Sequence, residues 1–183
     1  MNFVKMFKSL VTKKSASEAA EVRTLVIMQR IAKRFTEEEL RDAAERGWGK
    51  KFDGTEDPMY FISADHPALT VVKAGKHIIK LTSFPCRYND DDEYALSQLP
   101  KPEQKKAWSE HHAFALLEFF NDLSSRDFAD AEVYASLAKL ALQLDDPNCT
   151  AIFVPIKNLM MPNDGTAATG LQMMINKELP LDF

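Results

Sequence analysis

One segment near the middle of the chain is apolar at almost every position, and it constrains the fold more than any other feature. It reads His111-His112-Ala113-Phe114-Ala115-Leu116-Leu117-Glu118-Phe119-Phe120. A strand with one face in water alternates apolar and polar residues, whereas a strand covered on both faces is apolar throughout. The segment therefore predicts a central strand, with a sheet at the heart of the protein and helices packed over it.

Other elements are indicated by local signals on either side of this strand. Thr36 and Glu39 form the capping box of a helix that reaches about Arg46, and Gly47 suits the left-handed position after its end. Gly75-Lys76 indicates a tight hairpin. Apolar runs and their breakers predict strands over 23–28, 59–63, 69–73, 77–84 and 150–154, and helices over 102–108, 128–144 and 166–176.

This order of elements favours the α+β class, with a mixed, largely antiparallel sheet and helices packed on it. We expect a single α+β domain over residues 21–183, preceded by an N-terminal extension and linker over residues 1–20. A strand-helix-strand order recurs over 23–63 and 111–155, but the two stretches share no sequence repeat that would establish a duplication.

The extension itself has the pattern of an amphipathic helix over residues 1–14. Apolar residues recur at helical spacing with lysines between them, as in a helix that contacts a partner or a membrane surface. So short a stripe gives only weak membrane affinity alone, and the alternative is that Phe3, Phe7 and Leu10 pack on their own domain or on a second copy. The candidate contact residues are Phe3, Met6, Phe7, Leu10, Lys5 and Lys8.

Charge and cysteine usage exclude several classes of protein. The chain has 23 basic and 27 acidic residues, and a net charge of −4 argues against nucleic-acid binding. Cys86 and Cys149 lie in apolar, strand-like surroundings and are expected to be buried free thiols in a reducing cytoplasm. No run approaches the roughly 18 apolar residues of a membrane span, and the N-terminus lacks the pattern of a signal peptide. We therefore expect a cytoplasmic protein.

The candidates for chemistry are histidines and one glutamate. His112 and Glu118 would share a strand face, but six residues separate them by about 20 Å, so they cannot touch. His66 and His77 do not combine with His111 or His112 in any metal-ligand spacing. An acidic loop is predicted over 89–93, without the ligand pattern of a calcium site. The sequence thus predicts no catalytic residue, no cofactor and no metal.

The later part of the chain resembles an uncharacterised bacterial family, a domain of unknown function with an α+β fold. Trp108 and the run His111–Leu117, the helix at 128–144, the strand at 151–154, and Thr169-Gly170-Leu171 with Glu178 carry the resemblance, which spans about 60–183 and extends to 23–47. Phe114 stands where that pattern has a second histidine. The resemblance implies a fold but no established activity.

These observations lead to a non-catalytic protein-interaction domain as the first hypothesis, with another protein or a second copy as its partner. The alternative is a small-molecule enzyme whose pocket is built from loops, with His77, His111 or Glu118 contributing. A third hypothesis is peripheral membrane association through residues 1–14.

Overall fold

The computed structural model describes residues 22–66, 69–120 and 128–179, and within them seven strands form one sheet. The strands are β1 (Thr24–Gln29), β2 (Tyr60–His66), β3 (Leu69–Ala74), β4 (His77–Phe84), β5 (Ala113–Phe119), β6 (Cys149–Val154) and β7 (Leu159–Pro162). The helices in these ranges are α1 (Glu37–Trp48), α2 (Asp92–Gln98), α3 (Pro102–Glu110), α4 (Asp130–Leu144) and α5 (Thr166–Ile175), with a short 3₁₀ turn at Pro155–Lys157. The α+β prediction is confirmed.

The sheet has the order β2-β3-β4-β5-β1-β6-β7, and every pairing between these strands is antiparallel. The expectation of a mixed sheet is therefore wrong. A helical crossover normally joins parallel strands. Here the crossover β5-α4-β6 leaves a gap of one strand, and β1 fills it in the opposite direction, so no two neighbours run parallel.

Strand β5 occupies the centre of the sheet, as its sequence predicts, between β4 and β1. Ala115 and Leu117 point into the larger core on the first face of the sheet. Phe114 and Leu116 belong to a second, smaller core on the opposite face. The unbroken apolar run follows directly from this double burial.

Helices α1, α4 and α5 cover the first face. Thr36 caps α1 through the reciprocal bonds of a capping box with Glu39. The helix ends two residues later than predicted, because Gly49 rather than Gly47 takes the left-handed conformation, with φ of 64°. Gly47 instead lies inside the helix, where an added Cβ would come within 3.2 Å of the Lys139 carbonyl oxygen.

The second face is covered only in part. Helix α3 contacts β6 and β7, and α2 packs beside α3. The smaller core beneath them contains Val26, Met28, Leu99, Ala107, Trp108, Phe114, Leu116, Ala151, Phe153 and Met160. Gln104 of α3 donates from Nε2 to the Met160 carbonyl oxygen at 2.9 Å, which satisfies an edge group of β7. Over β2 and β3 the second face carries no helix in the described residues.

Three sequence predictions need correction or lie outside the described residues. The predicted acidic loop is partly a helix, since Asp91 caps α2 by accepting the Tyr94 amide N–H at 3.0 Å. Strand β7 was not predicted at all. The long helix begins at Asp130 rather than at residue 128, and the amphipathic helix expected over residues 1–14 lies outside the described ranges.

Candidate functional site

His111 lies at the entry to β5 and is fully buried. Its Nδ1–H donates to the carbonyl oxygen of Trp108, and its Nε2 accepts the backbone N–H of Tyr88 at 3.2 Å. This pairing fixes the neutral tautomer with the proton on Nδ1. Burial lowers the pKa of His111 further below its ordinary value. Both ring nitrogens of His111 therefore form hydrogen bonds within the fold, and neither is left to contact a substrate. Its neighbour His112 is exposed.

His77, at the start of β4, joins two side chains of α4 in a hydrogen-bonded chain. Its Nε2 lies 3.2 Å from Oε1 of Glu132, and its Nδ1 lies 2.6 Å from Oγ of Ser136. Burial lowers the pKa of His77, against the opposing effect of the Glu132 carboxylate, so the ring is neutral at pH 7. The neutral ring donates from Nε2 to the carboxylate and accepts the serine hydroxyl at Nδ1.

The hydrogen bonds of Ser136, His77 and Glu132 follow the order of a Ser-His-acid triad, in which a carboxylate orients the histidine and the histidine acts as a base toward the serine hydroxyl. Ser136 is 6% exposed, so its Oγ faces the interface between α4 and the sheet. The rings of Phe119 and Phe128 lie against His77 at centroid distances of 5.6 and 5.0 Å. Both partners lie 55 and 59 positions from His77, too far along the chain for a local pattern to link them, and their four-residue spacing on one helix is the sequence signal for the pair.

Glu118, the other candidate for acid–base chemistry, lies on the opposite face of the sheet. Its carboxylate is 3.8 Å from Lys80 Nζ. The same ammonium group lies 4.3 Å from the centroid of the Phe120 ring. Glu118, Lys80 and Phe120 thus form a surface cluster of mixed polarity. Glu118 takes no part in the hydrogen bonds of His77 or in those of His111.

That cluster is part of a larger surface, the open sheet face, which is the half of the second face that no described helix covers. Strand register fixes its composition in two rows. The first runs Val71–Lys80–Glu118–Thr24 across β3, β4, β5 and β1, and the second runs Phe61–Lys73–Ile78 across β2, β3 and β4. Phe120 joins the second row, because its backbone N–H bonds to the Ile78 carbonyl oxygen at 2.8 Å.

The open sheet face is more apolar than an ordinary solvated sheet surface. Phe61 and Phe120 are 37% and 40% exposed at its margin. Val71 and Ile78 lie half-buried between them. Lys73 and Lys80 lie among these apolar side chains rather than around them, so the face mixes exposed aromatic and charged groups. Aromatic side chains are enriched at protein interfaces. The alternation of Phe61 with inward-facing neighbours in β2 is the sequence signal for this surface.

Two clefts elsewhere in the described residues are lined mainly by charged groups. One of about 200 Å³ lies between α1 and the end of α4, where Lys33 bonds to Asp146 and Glu39. Burial raises the pKa of Asp145 at its floor. The other, of about 650 Å³, is an open surface depression around Lys50 and Asp57. Neither cleft includes a predicted site residue.

The cysteine prediction is half wrong. Cys149 is buried, and burial raises the pKa of its thiol strongly. Cys86 is exposed, because it follows β4 in a turn outside the sheet rather than within a strand. Both cysteines are free thiols.

Metal and membrane sites can be judged only for the part of the chain that the structure describes. There, no group of three or more histidine, cysteine or acidic side chains is arranged to hold a metal ion. No helix in the same ranges has the length and apolar character needed to cross a bilayer. The predicted contact residues Phe3, Met6, Phe7, Leu10, Lys5 and Lys8 lie outside the described residues, and their role stays a prediction.

The fold and these surfaces define a class of protein: an α+β domain built on one seven-stranded antiparallel sheet, with helices over one face and over half of the other. The chain matches no family model, no curated protein and no solved structure. The resemblance to an uncharacterised bacterial family is therefore neither supported nor refuted.

Proposed function

We propose that this chain is a non-catalytic cytoplasmic domain that binds another protein through the open sheet face. The observation that carries the proposal is the half-covered sheet. The smaller core ends at Leu116, and the next two rows place Val71, Ile78, Phe61 and Phe120 at the surface. Burying such side chains against a partner gains about 25 cal/mol per Å² of apolar area removed from water, and this gain offsets the entropy that the two proteins lose on association.

The charges on this surface indicate the chemistry of the partner. Lys73 and Lys80 lie in adjacent rows, and Glu118 already contacts Lys80. Asp53 pairs with Phe61 at the edge of the face, so the face carries two lysines and two carboxylates among its apolar side chains. Lys73 lies between Phe61 and Ile78 and is the cation that a carboxylate of the partner would meet. A partner segment that carries apolar side chains together with carboxylates fits this arrangement, because complementary charge favours association and fixes its orientation.

A matched pair of substitutions tests the proposal. Phe61→Glu places a carboxylate in the open sheet face between Lys73 on one side and Asp53 on the other, so the new charge has one neighbour of opposite sign and one of the same sign. Tyr94→Glu makes the same kind of change at a 60% exposed aromatic residue on α2, outside this face. Circular dichroism and thermal melts establish that both variants are folded.

The assay is affinity purification of the tagged chain from its host, followed by carbodiimide cross-linking, which joins lysine amines directly to carboxylates. We expect one stoichiometric protein whose carboxylates cross-link to Lys73 or Lys80. Phe61→Glu should abolish its capture and Tyr94→Glu should retain it. Equal capture by both variants, or cross-links confined to other lysines, contradicts the proposal.

Hydrolysis at the Ser136–His77–Glu132 chain is a second candidate function, favoured by the hydrogen bonds that orient His77 as a base toward Ser136 Oγ. A nucleophile of this kind reacts with fluorophosphonate probes. Labelling that is lost in Ser136→Ala and in His77→Gln, but retained in His112→Gln, would establish this function. Absence of labelling in the native chain leaves the three residues a structural contact between α4 and β4.

A further inference from the structure

We propose that acid releases residues 85–99 from the second face while the sheet stays folded, and that the buried ring of His111 is the group that takes up the proton. These residues, the cover segment, comprise the turn after β4, helix α2 and Leu99. They lie over the covered half of the second face, so this inference stands whether or not the open sheet face binds a partner.

Few polar contacts attach the cover segment. Three hydrogen bonds join it to other described residues, and all three end on Trp108 or His111. Arg87 donates to the Trp108 carbonyl oxygen at 3.0 Å, and Asp92 accepts the Trp108 indole N–H at 2.9 Å. The third bond runs from the Tyr88 backbone N–H to His111 Nε2 at 3.2 Å. His111 is therefore a direct attachment point of the segment.

Apolar packing of the segment is also limited. Helix α2 has no buried residue, whereas the neighbouring helix α3 places Trp108 in the smaller core. Leu99 is buried, and the Tyr88 ring lies 5.2 Å from the Phe114 ring and 5.6 Å from the Phe153 ring, between centroids. Release of α2 and its flanking turn therefore loses less apolar contact than release of α3 or of a strand.

A proton on His111 is incompatible with the Tyr88 contact. The neutral ring accepts the Tyr88 N–H at Nε2 and donates from Nδ1 to the Trp108 carbonyl oxygen. The protonated ring carries an N–H group on both nitrogens, so Nε2–H would point at the Tyr88 N–H. The Arg87 guanidinium donates to the same Trp108 carbonyl oxygen, which places a second positive charge close to the imidazolium.

The charged groups that face the ring are Arg87, Asp92 and His112. Burial lowers the pKa of His111 most, and the positive charges of Arg87 and His112 act in the same direction. The Trp108 carbonyl oxygen and Asp92 oppose this effect, but Asp92 already accepts hydrogen bonds from Arg87 and Trp108. Glu110, at the end of α3, pairs with Arg30 and Lys106 instead.

Release of the segment lets water reach the ring without breaking the sheet. His111 precedes β5, and the His112 N–H bonds to the Gln29 carbonyl oxygen of β1 at 2.8 Å rather than to the cover segment. In the released state the ring regains its ordinary pKa of 6.5, above its pKa in the attached state. The equilibrium constant for release should therefore increase up to tenfold for each pH unit below 6.5, until the attached ring is protonated too.

Hydrogen exchange in the purified full-length chain measures this release between pH 7.5 and pH 4.5, with each rate corrected for the intrinsic effect of pH on amide exchange. We expect the protection of the Tyr88 amide to fall by up to tenfold per pH unit below 6.5. At every pH it should stay less protected than the Leu117 and Leu140 amides of the larger core. Its exchange should also be insensitive to low urea, because local opening exposes little surface.

A thiol at the far end of the segment tests whether the whole segment leaves. Leu99→Cys in a Cys86→Ser background places a thiol at a buried position, and Cys149 is buried with a raised thiol pKa. The rate of its reaction with a disulfide reagent, divided by the rate of the same variant unfolded in urea, should rise with acid in step with Tyr88 exchange.

Two variants identify the titrating group. His111→Gln is neutral throughout this pH range and offers an amide oxygen to the Tyr88 N–H, so the pH dependence of Tyr88 exchange should disappear. His112→Gln changes the adjacent exposed residue and should keep the native dependence.

Three results would overturn the proposal. Equal protection and equal urea dependence of the Tyr88, Leu117 and Leu140 amides would show that the whole domain opens. A Tyr88 amide that exchanges faster in acid while the Leu99→Cys thiol stays protected would show that one hydrogen bond opens and the segment remains. A native pH dependence in His111→Gln would assign the proton to another group.

Discussion

Replacement of His111 by leucine should destabilise the domain, and the size of the effect follows from the two hydrogen bonds that the His111 ring makes. Leucine is apolar and fits a buried site, but it leaves the backbone N–H of Tyr88 without its acceptor. A buried unpaired donor costs about 1–3 kcal/mol, and loss of the bond to Trp108 adds about 1 kcal/mol. The Trp108 carbonyl oxygen suffers no further loss, since Arg87 also donates to it at 3.0 Å. We therefore expect a decrease of roughly 2–4 kcal/mol in the free energy of unfolding.

The same substitution should change the dependence of stability on pH. Burial lowers the native pKa of His111 from 6.5. Below pH 6.5 the imidazole is therefore protonated in the unfolded chain while it is still neutral in the native protein. Stability is therefore complete above pH 6.5 and falls as the pH decreases, by up to about 1.4 kcal/mol per pH unit, until the native ring is protonated too. His111→Leu removes the pH dependence of stability that comes from His111. The pKa of His77 is also lowered, so His77 still contributes a pH dependence of the same sign in the variant.

Urea unfolding at pH 7.5 and at several values down to pH 5 measures both effects. His112→Leu is the control, because it makes the same change at the adjacent exposed position and should alter stability by no more than about 0.5 kcal/mol. Equal losses in the two variants, or an unchanged pH slope in His111→Leu, would refute the reasoning about the buried tautomer.

Three further predictions concern packing, capping and thiol reactivity. Gly170→Ala should lower the free energy of unfolding by about 1–3 kcal/mol in chemical denaturation, because its Cβ would overlap the buried Met161 Sδ. An unchanged free energy of unfolding would contradict this overlap. Thr36→Ala should cost about 1 kcal/mol through loss of the α1 cap, and a change below about 0.3 kcal/mol would contradict the cap's role. In the native chain a disulfide reagent should modify Cys86 and spare Cys149, with both reacting in urea; prompt native reaction of two thiols would contradict the burial of Cys149.

The central part of the fold could be predicted because its sequence signals are of two simple kinds. One is a strand that is apolar on both faces, and the other is a pair of residues close together in the sequence. A strand with no polar face can only lie between two cores, and β5 does. The capping box at Thr36 predicts the start of α1 since both of its bonds join residues three positions apart. The end of α1 was harder to predict, because Gly47 and Gly49 both fit a helix end and packing against Lys139 selects between them.

Features that depend on long-range contacts were not predictable from one sequence. Strand β7 has four residues and ends in Pro162, so it is too short for periodicity to detect, and its pairing with β6 defines it. The chain of His77, Glu132 and Ser136 is formed by packing of α4 on the sheet. The open sheet face likewise requires the strand order, because residues from five strands create it.

The position of β1 has a consequence for how the chain is made. Residues 24–29 leave the ribosome early, but their two neighbours in the sheet are β5 and β6, and β6 begins 120 residues after β1 ends. At about 5–20 residues per second, synthesis reaches β6 some 6–24 s later. Both hydrogen-bonding edges of this largely apolar strand lack their native partners until β5 is made, and the edge that pairs with β6 lacks its partner for the whole interval, while the β2-β3-β4 meander can already pair. The nascent chain is therefore most exposed to aggregation at its first strand, and co-translational chaperones that bind short apolar segments have a defined target there.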